Sequence, residues 1–172
     1  MKITSKKIAF IGVMAALGNL LGFIPLKIPS PTPTVNIELH FSQLPPLFVA
    51  FSLGAIPGAI TGFLSLIAVT AVYIRNPLVP FGNMILAGAA GLAAKKFKPI
   101  IAGLIGEIAE TPFLWFSILF WSGIVYNVPF KILIPIAALI NIKAFIEVFI
   151  SSFVASILLK KKEIKAALKS IK

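Results

Sequence analysis

Long apolar runs, separated by clusters of proline, glycine and lysine, set the pattern of this chain. The first covers residues 8–24 and leads into Ile28-Pro29-Ser30-Pro31-Thr32-Pro33-Thr34. Proline at alternate positions removes N–H donors and pushes each preceding residue toward an extended conformation, so no helix continues there. A second run begins near residues 41–46 and ends at Leu53; Pro45 and Pro46 fit only in a first helical turn, and counted from Pro45 the run is too short to span a bilayer. Gly54 interrupts the chain, residues 57–74 give a third span, and Arg75-Asn76-Pro77 reads as a turn. The fourth span, residues 79–94, stops at Lys95-Lys96-Phe97-Lys98-Pro99, and the fifth covers residues 100–121. Gly123, Asn127, Pro129, Lys131 and Pro135 then predict a long outer loop over residues 122–135 that folds back. The sixth span is residues 140–159, followed by a basic tail over residues 160–172. The expectation is an all-α membrane protein: one transmembrane domain over residues 1–172, a bundle of six helices.

Composition agrees with lipid as the solvent. The 172 residues are 59% hydrophobic and the mean hydropathy is +1.03, well above the apolar share of about 45–50% in soluble domains. Spans and short connections nearly exhaust the length, leaving no room for a soluble catalytic domain. The net charge of +11 is unevenly distributed. Twelve lysines fall in residues 1–7, 95–98 and 160–172, whereas Lys27, Arg75 and Lys131 fall on the other side of the predicted bundle. That asymmetry predicts both termini in the cytoplasm, with an outer lid over residues 25–40. It also explains the basic balance by membrane orientation, so no nucleic-acid partner is expected. A separate seventh span over residues 125–139 would leave six tail lysines outside. The start resembles a secretory signal, but the apolar run is long and no small-residue cleavage site follows it. The expected location is the cell membrane, multi-pass.

Five polar residues fall where an apolar bundle has no need of them: Asn83, Glu107, Glu110, Lys143 and Glu147. A charge within a span costs about 2.5–3.5 kcal/mol on insertion scales, so these groups should face the bundle interior or a wet cavity. Lys143 and Glu147 stand four residues apart and can pair within one helix. Two readings stand for this set: structural pairs, or the polar floor and wall of a ligand pocket. His40 is the only histidine and has no partner at ligand spacing, which argues against a metal site. There is no aspartate or cysteine, no nucleophile–base arrangement and no phosphate-binding glycine loop. The chain is therefore not expected to be an enzyme or to hold a cofactor, and active transport would need an ATPase on another chain. Gly54, Gly58 and Gly62 repeat at four-residue spacing, as helix-packing positions do in lipid. Ala9, Gly12, Ala15 and Ala16 make a further small-residue stripe, fit for internal packing or for docking on a membrane partner.

Taken together, these motifs resemble the S components of energy-coupling factor (ECF) importers, and among them the riboflavin-binding members. The likeness covers nearly the whole chain. It rests on Lys27-Ile28-Pro29-Ser30-Pro31 leading to Phe41-Ser42-Gln43-Leu44-Pro45, on Asn76-Pro77-Leu78-Val79-Pro80-Phe81-Gly82-Asn83 followed by Ala87-Gly88, and on Lys131 with Asn141-Ile142-Lys143. It implies a subunit that captures a vitamin at its outer face and works with a transmembrane coupling protein and two ATPase subunits. The site residues it implies are Glu38, His40, Phe41, Asn76, Asn83, Trp115, Asn141, Lys143 and Glu147, and the docking stripe is Ala9, Gly12 and Ala16. The sequence departs from the family pattern at His40 and Gln43, where aspartates flank Phe-Ser. The asparagine stands two residues before Lys143 instead of three, which puts Ile140 on the expected face. Riboflavin leads as ligand; another vitamin, a nucleobase-like or amino-acid ligand, and a small channel or membrane scaffold remain open. The roles of Glu107 and Glu110 also remain open.

Overall fold

The computed structural model describes residues 4–28 and 37–171. Helix α1 is Ser5–Phe23, started by Thr4, whose hydroxyl accepts from the Lys7 N–H at 3.3 Å. Strands β1 (Leu26–Ile28) and β2 (Ile37–Leu39) follow, then α2 (Leu44–Leu53), α3 (Ala55–Ile74) and α4 (Val79–Ala93). The chain continues with α5 (Pro99–Val125), α6 (Phe130–Leu158) and α7 (Lys162–Ile171). Four helices, α1, α3, α5 and α6, are long and apolar enough to cross a membrane. The other two apolar helices, α2 and α4, have 10 and 15 residues, or about 15 and 22 Å, short of a hydrocarbon core of about 30 Å. Residues 29–36, half of the predicted lid, lie outside the described residues. Its flanks pair as an antiparallel hairpin, with Leu26 opposite Leu39 and Lys27 opposite Glu38.

Small residues set how closely the helices pack, because lipid offers no hydrophobic drive to assemble them. A side chain at Gly62 would collide with the backbone carbonyl of Asn83, so α3 and α4 touch along their backbones. A Cβ at Gly106 would stand 2.5 Å from the Leu86 carbonyl, which sets the same close approach between α4 and α5. Leu47, Leu86, Ala90 and Val148 form a fully buried layer across α2, α4 and α6.

The third span is broken, and the break is stabilised by two asparagines. Its helical stretch ends at Leu64 and resumes at Ile67, which frees backbone groups that lipid cannot satisfy. Asn19 of α1 bridges the break: its amide donates to the Leu64 carbonyl at 2.7 Å and its oxygen accepts from the Ala68 N–H at 2.9 Å. From α4, the Asn83 amide donates to the Gly62 carbonyl and the Ser65 hydroxyl, both at 3.0 Å. The helix then widens to a π-type turn, which ends where the Arg75 N–H reaches the Thr70 carbonyl at 2.7 Å.

Two expectations are corrected. Residues 122–135 are not a long loop: α5 continues through a π-type turn to Val125, and α6 begins at Phe130. Asn127 takes a left-handed conformation (φ 54°) and the Val128 N–H donates to the Ser122 carbonyl at 3.0 Å, which closes the reversal in a few residues. Pro135 is consequently inside a helix. The basic segment after residue 159 is also more than a tail, since Lys162–Ile171 is helical and buries Leu168 against Phe48 and Ala155.

Candidate functional site

At the hairpin end of the bundle the helices splay around a cavity of about 990 Å³, at the upper end of the range of small-molecule pockets. One face of α5 supplies Glu110, Leu114, Ser117, Ile118 and Trp121, at spacings that repeat once per helical turn. The facing stripe of α6 supplies Leu133, Ile136, Ile140, Lys143, Ala144 and Glu147. The broken α3 presents Leu66, Val69 and Tyr73, and α4 contributes Val79, Gly82 and Asn83. The segment after β2 brings in His40, Ser42 and Gln43. Aromatic pairs stand at the rim: Phe23 edge-on to Tyr73 with ring centres 5.5 Å apart, and Trp121 edge-on to Tyr126 at 6.1 Å.

Glu147 is the organising polar group of this cavity. It is buried, with its side chain 5% exposed, and its Oε1 lies 3.3 Å from the Lys143 Nζ. The same oxygen accepts from the His40 backbone N–H at 2.5 Å, and Oε2 accepts from the Gln43 amide at 3.5 Å. One carboxylate on α6 thus fixes the ammonium beside the cavity and the segment that follows β2. The His40 ring lies 3.1 Å from the Gly22 carbonyl through Nδ1, and its Nε2 is 4.0 Å from a Glu38 carboxylate oxygen. Burial, and next the Lys143 charge, hold the His40 pKa below its ordinary value of 6.5; the Gly22 carbonyl and Glu38 oppose them. The ring is therefore a neutral hydrogen-bonding group at pH 7.

Asn76 and Trp121 rigidify the opposite wall. The Asn76 amide donates to the Ser117 carbonyl at 3.3 Å while its oxygen accepts from the Leu78 N–H at 3.0 Å, and the Trp121 indole N–H donates to the Arg75 carbonyl at 2.8 Å. These bonds fasten the α3–α4 turn to α5.

Of the residues implied by sequence, Glu38, His40, Asn76, Asn83, Lys143 and Glu147 line the cavity, and Phe41, Trp115 and Asn141 do not. The two misses on helices, Trp115 and Asn141, share a cause. Neighbouring residues on a helix diverge by about 100°, so Leu114 and Ile140 face the cavity where Trp115 and Asn141 turn away. Asn141 instead donates to the Thr111 hydroxyl at 3.1 Å between α5 and α6. Asn83 spends its amide on α3, and its buried oxygen has no hydrogen-bond partner among the described residues. Sequence reasoning missed Tyr73, Trp121 and Tyr126. Counting whole helical turns from Glu110 would have reached Trp121. Glu107 and Glu110 separate: Glu110 lines the cavity, while Glu107 is fully buried, with neither carboxyl oxygen hydrogen-bonded among the described residues. On the stripe of Ala9, Gly12 and Ala16 all three residues are exposed, and a Cβ at Gly12 would meet nothing within 4 Å, whereas Ala15, Gly18 and Gly22 face the bundle.

No protein-family model and no curated protein matches this sequence. Among solved structures, the S component of a bacterial ECF transporter is similar over 95% of this chain and 98% of its own, with a TM-score of 0.65 and 24% sequence identity. The chain shares the fold of that S component.

Proposed function

We propose that this chain is the substrate-binding S component of an ECF-type importer, a multi-pass subunit of the cell membrane with both termini in the cytoplasm. It captures a small ligand, riboflavin first among the candidates, at the outer face, and works with a transmembrane coupling protein and two ATPase subunits. It is a transport subunit and performs no chemistry of its own. The observation that carries this reading is the cavity at the hairpin end, into which polar groups converge from α3 to α6 and the segment after β2. Its aromatic rim and apolar stripes suit a flat heteroaromatic ring, with a few polar groups to fix orientation. The fully buried layer of Leu47, Leu86, Ala90 and Val148 favours a binding pocket over a channel, which needs a continuous polar path. Exposure of Ala9, Gly12 and Ala16 favours the docking role of that stripe over internal packing.

The test is a riboflavin titration of the purified protein, followed by tryptophan fluorescence and calorimetry, for the parent and Lys143→Met. A buried hydrogen bond from the ammonium to the ligand contributes about 1.5–3 kcal/mol, so the variant should bind roughly 10–150-fold more weakly when both proteins are titrated well below their melting temperatures. Equal affinities would leave Lys143 as the structural partner of Glu147 alone. If riboflavin does not bind the parent, mass spectrometry of co-purifying small molecules tests the other vitamins. Absence of any bound small molecule would count against the S-component reading itself.

A further inference from the structure

Helix α7 has no part in the cavity, and its surface is divided. Ile164, Leu168 and Ile171 pack into the bundle beside Phe48, where the start of α1 and the end of α6 meet. Helix α2 covers only about half the thickness of a hydrocarbon core, and α7 packs against its side chains near the bundle end. On another side, Lys162, Lys165 and Lys169 recur at three- and four-residue spacing, which aligns them in one stripe, and all three are exposed. Exposed Lys160 and Lys161 extend the stripe toward the end of α6, and the one acid of the helix, Glu163, stands on the opposite flank.

We propose that α7 is an interfacial helix whose lysine stripe binds the headgroups of anionic phospholipids. The proposal rests on the reading of the bundle as membrane-spanning and not on the identity of the transported ligand. Two features carry it. The apolar face is anchored on α1, α2 and α6, so the helix stays where α6 leaves the apolar layer and its lysines stand at headgroup level. The stripe is purely cationic, so it complements phosphate charge, as polybasic segments beside a span do on an anionic leaflet.

Native mass spectrometry of the detergent-solubilised full chain, titrated with phosphatidylglycerol and with phosphatidylcholine, tests this. The parent should retain phosphatidylglycerol in preference, and a variant with Lys162, Lys165 and Lys169 all changed to Gln should lose about 5-fold in affinity per lysine. The variant with Lys95, Lys96 and Lys98 changed to Gln removes the same charge from the α4–α5 turn at the same end of the bundle. It should keep the preference. Equal loss in both variants would overturn the proposal, because diffuse charge would then explain the binding. So would unchanged phosphatidylglycerol binding in the α7 variant coupled with loss of its co-purification with a coupling subunit, since the stripe would then serve a protein partner. The substituted lysines are exposed, so melting temperatures in detergent should match the parent.

Discussion

Replacing Glu147 by Gln isolates the charge that holds the cavity together. The side chain keeps its volume, and the amide oxygen can still accept from the His40 N–H, so the main loss is the attraction between the carboxylate and the Lys143 ammonium 3.3 Å away. Breaking a buried pair costs about 3–5 kcal/mol when the remaining charge is sealed from water. Here the Lys143 side chain is 26% exposed, so water reaches it and the loss falls toward the value of a charge-assisted hydrogen bond, about 1.5–3 kcal/mol. For a chain of this length 1 kcal/mol corresponds to about 2–4 °C, so Glu147→Gln should melt roughly 3–12 °C below the parent in the same detergent. The double variant with Lys143→Met removes both charges. Its loss should be smaller than the sum of the two single losses by about 1 kcal/mol or more, since each single change strands the other group. Tryptophan fluorescence during a thermal ramp measures all four proteins. A Glu147→Gln melting temperature within 1 °C of the parent, or additive losses in the double variant, would refute the view that this carboxylate organises the pocket.

Stability should fall as pH drops below about 6.5, because a histidine held neutral by burial binds its proton less readily in the folded than in the unfolded chain. His40→Gln should flatten the melting-temperature profile between about pH 6.5 and the lower folded value, and an unchanged slope would assign the dependence to other groups. Asn19→Leu leaves the Leu64 carbonyl and the Ala68 N–H unpaired at the break in α3. Two stranded backbone groups should lower stability by about 2–4 kcal/mol in chemical or thermal unfolding. Gly12→Leu meets open space, so the melting temperature and riboflavin binding should match the parent. In cells the same variant should abolish uptake and co-purification with the coupling protein, because a bulky side chain keeps another helix at a distance.

What the sequence determined is the part of the fold that lipid dictates. A bilayer offers backbone groups no water, so helix is the default within it; apolar length marked α1, α4 and the core of α5 and α6, and proline and lysine clusters marked where they stop. The same scarcity of charge in lipid made Lys143 and Glu147 stand out as functional candidates, and the structure brings both to the cavity wall. Packing, by contrast, fixes which way each apolar helix turns. Spans that are apolar on every side carry little periodic contrast, so the choice between Trp115 and Trp121, or between Asn141 and Ile140, was fixed only when α5 and α6 packed. Nor could the sequence show that Glu147 accepts from His40, 107 residues away, or that Asn19 bridges the break in α3. Those bonds depend on the close approach of helices through their small residues. The 122–135 segment shows the limit most directly: proline and glycine signal a break where the backbone must find its own partners. Here an extended π-type turn and a left-handed Asn127 supplied them, so the helices lengthened and the loop shrank.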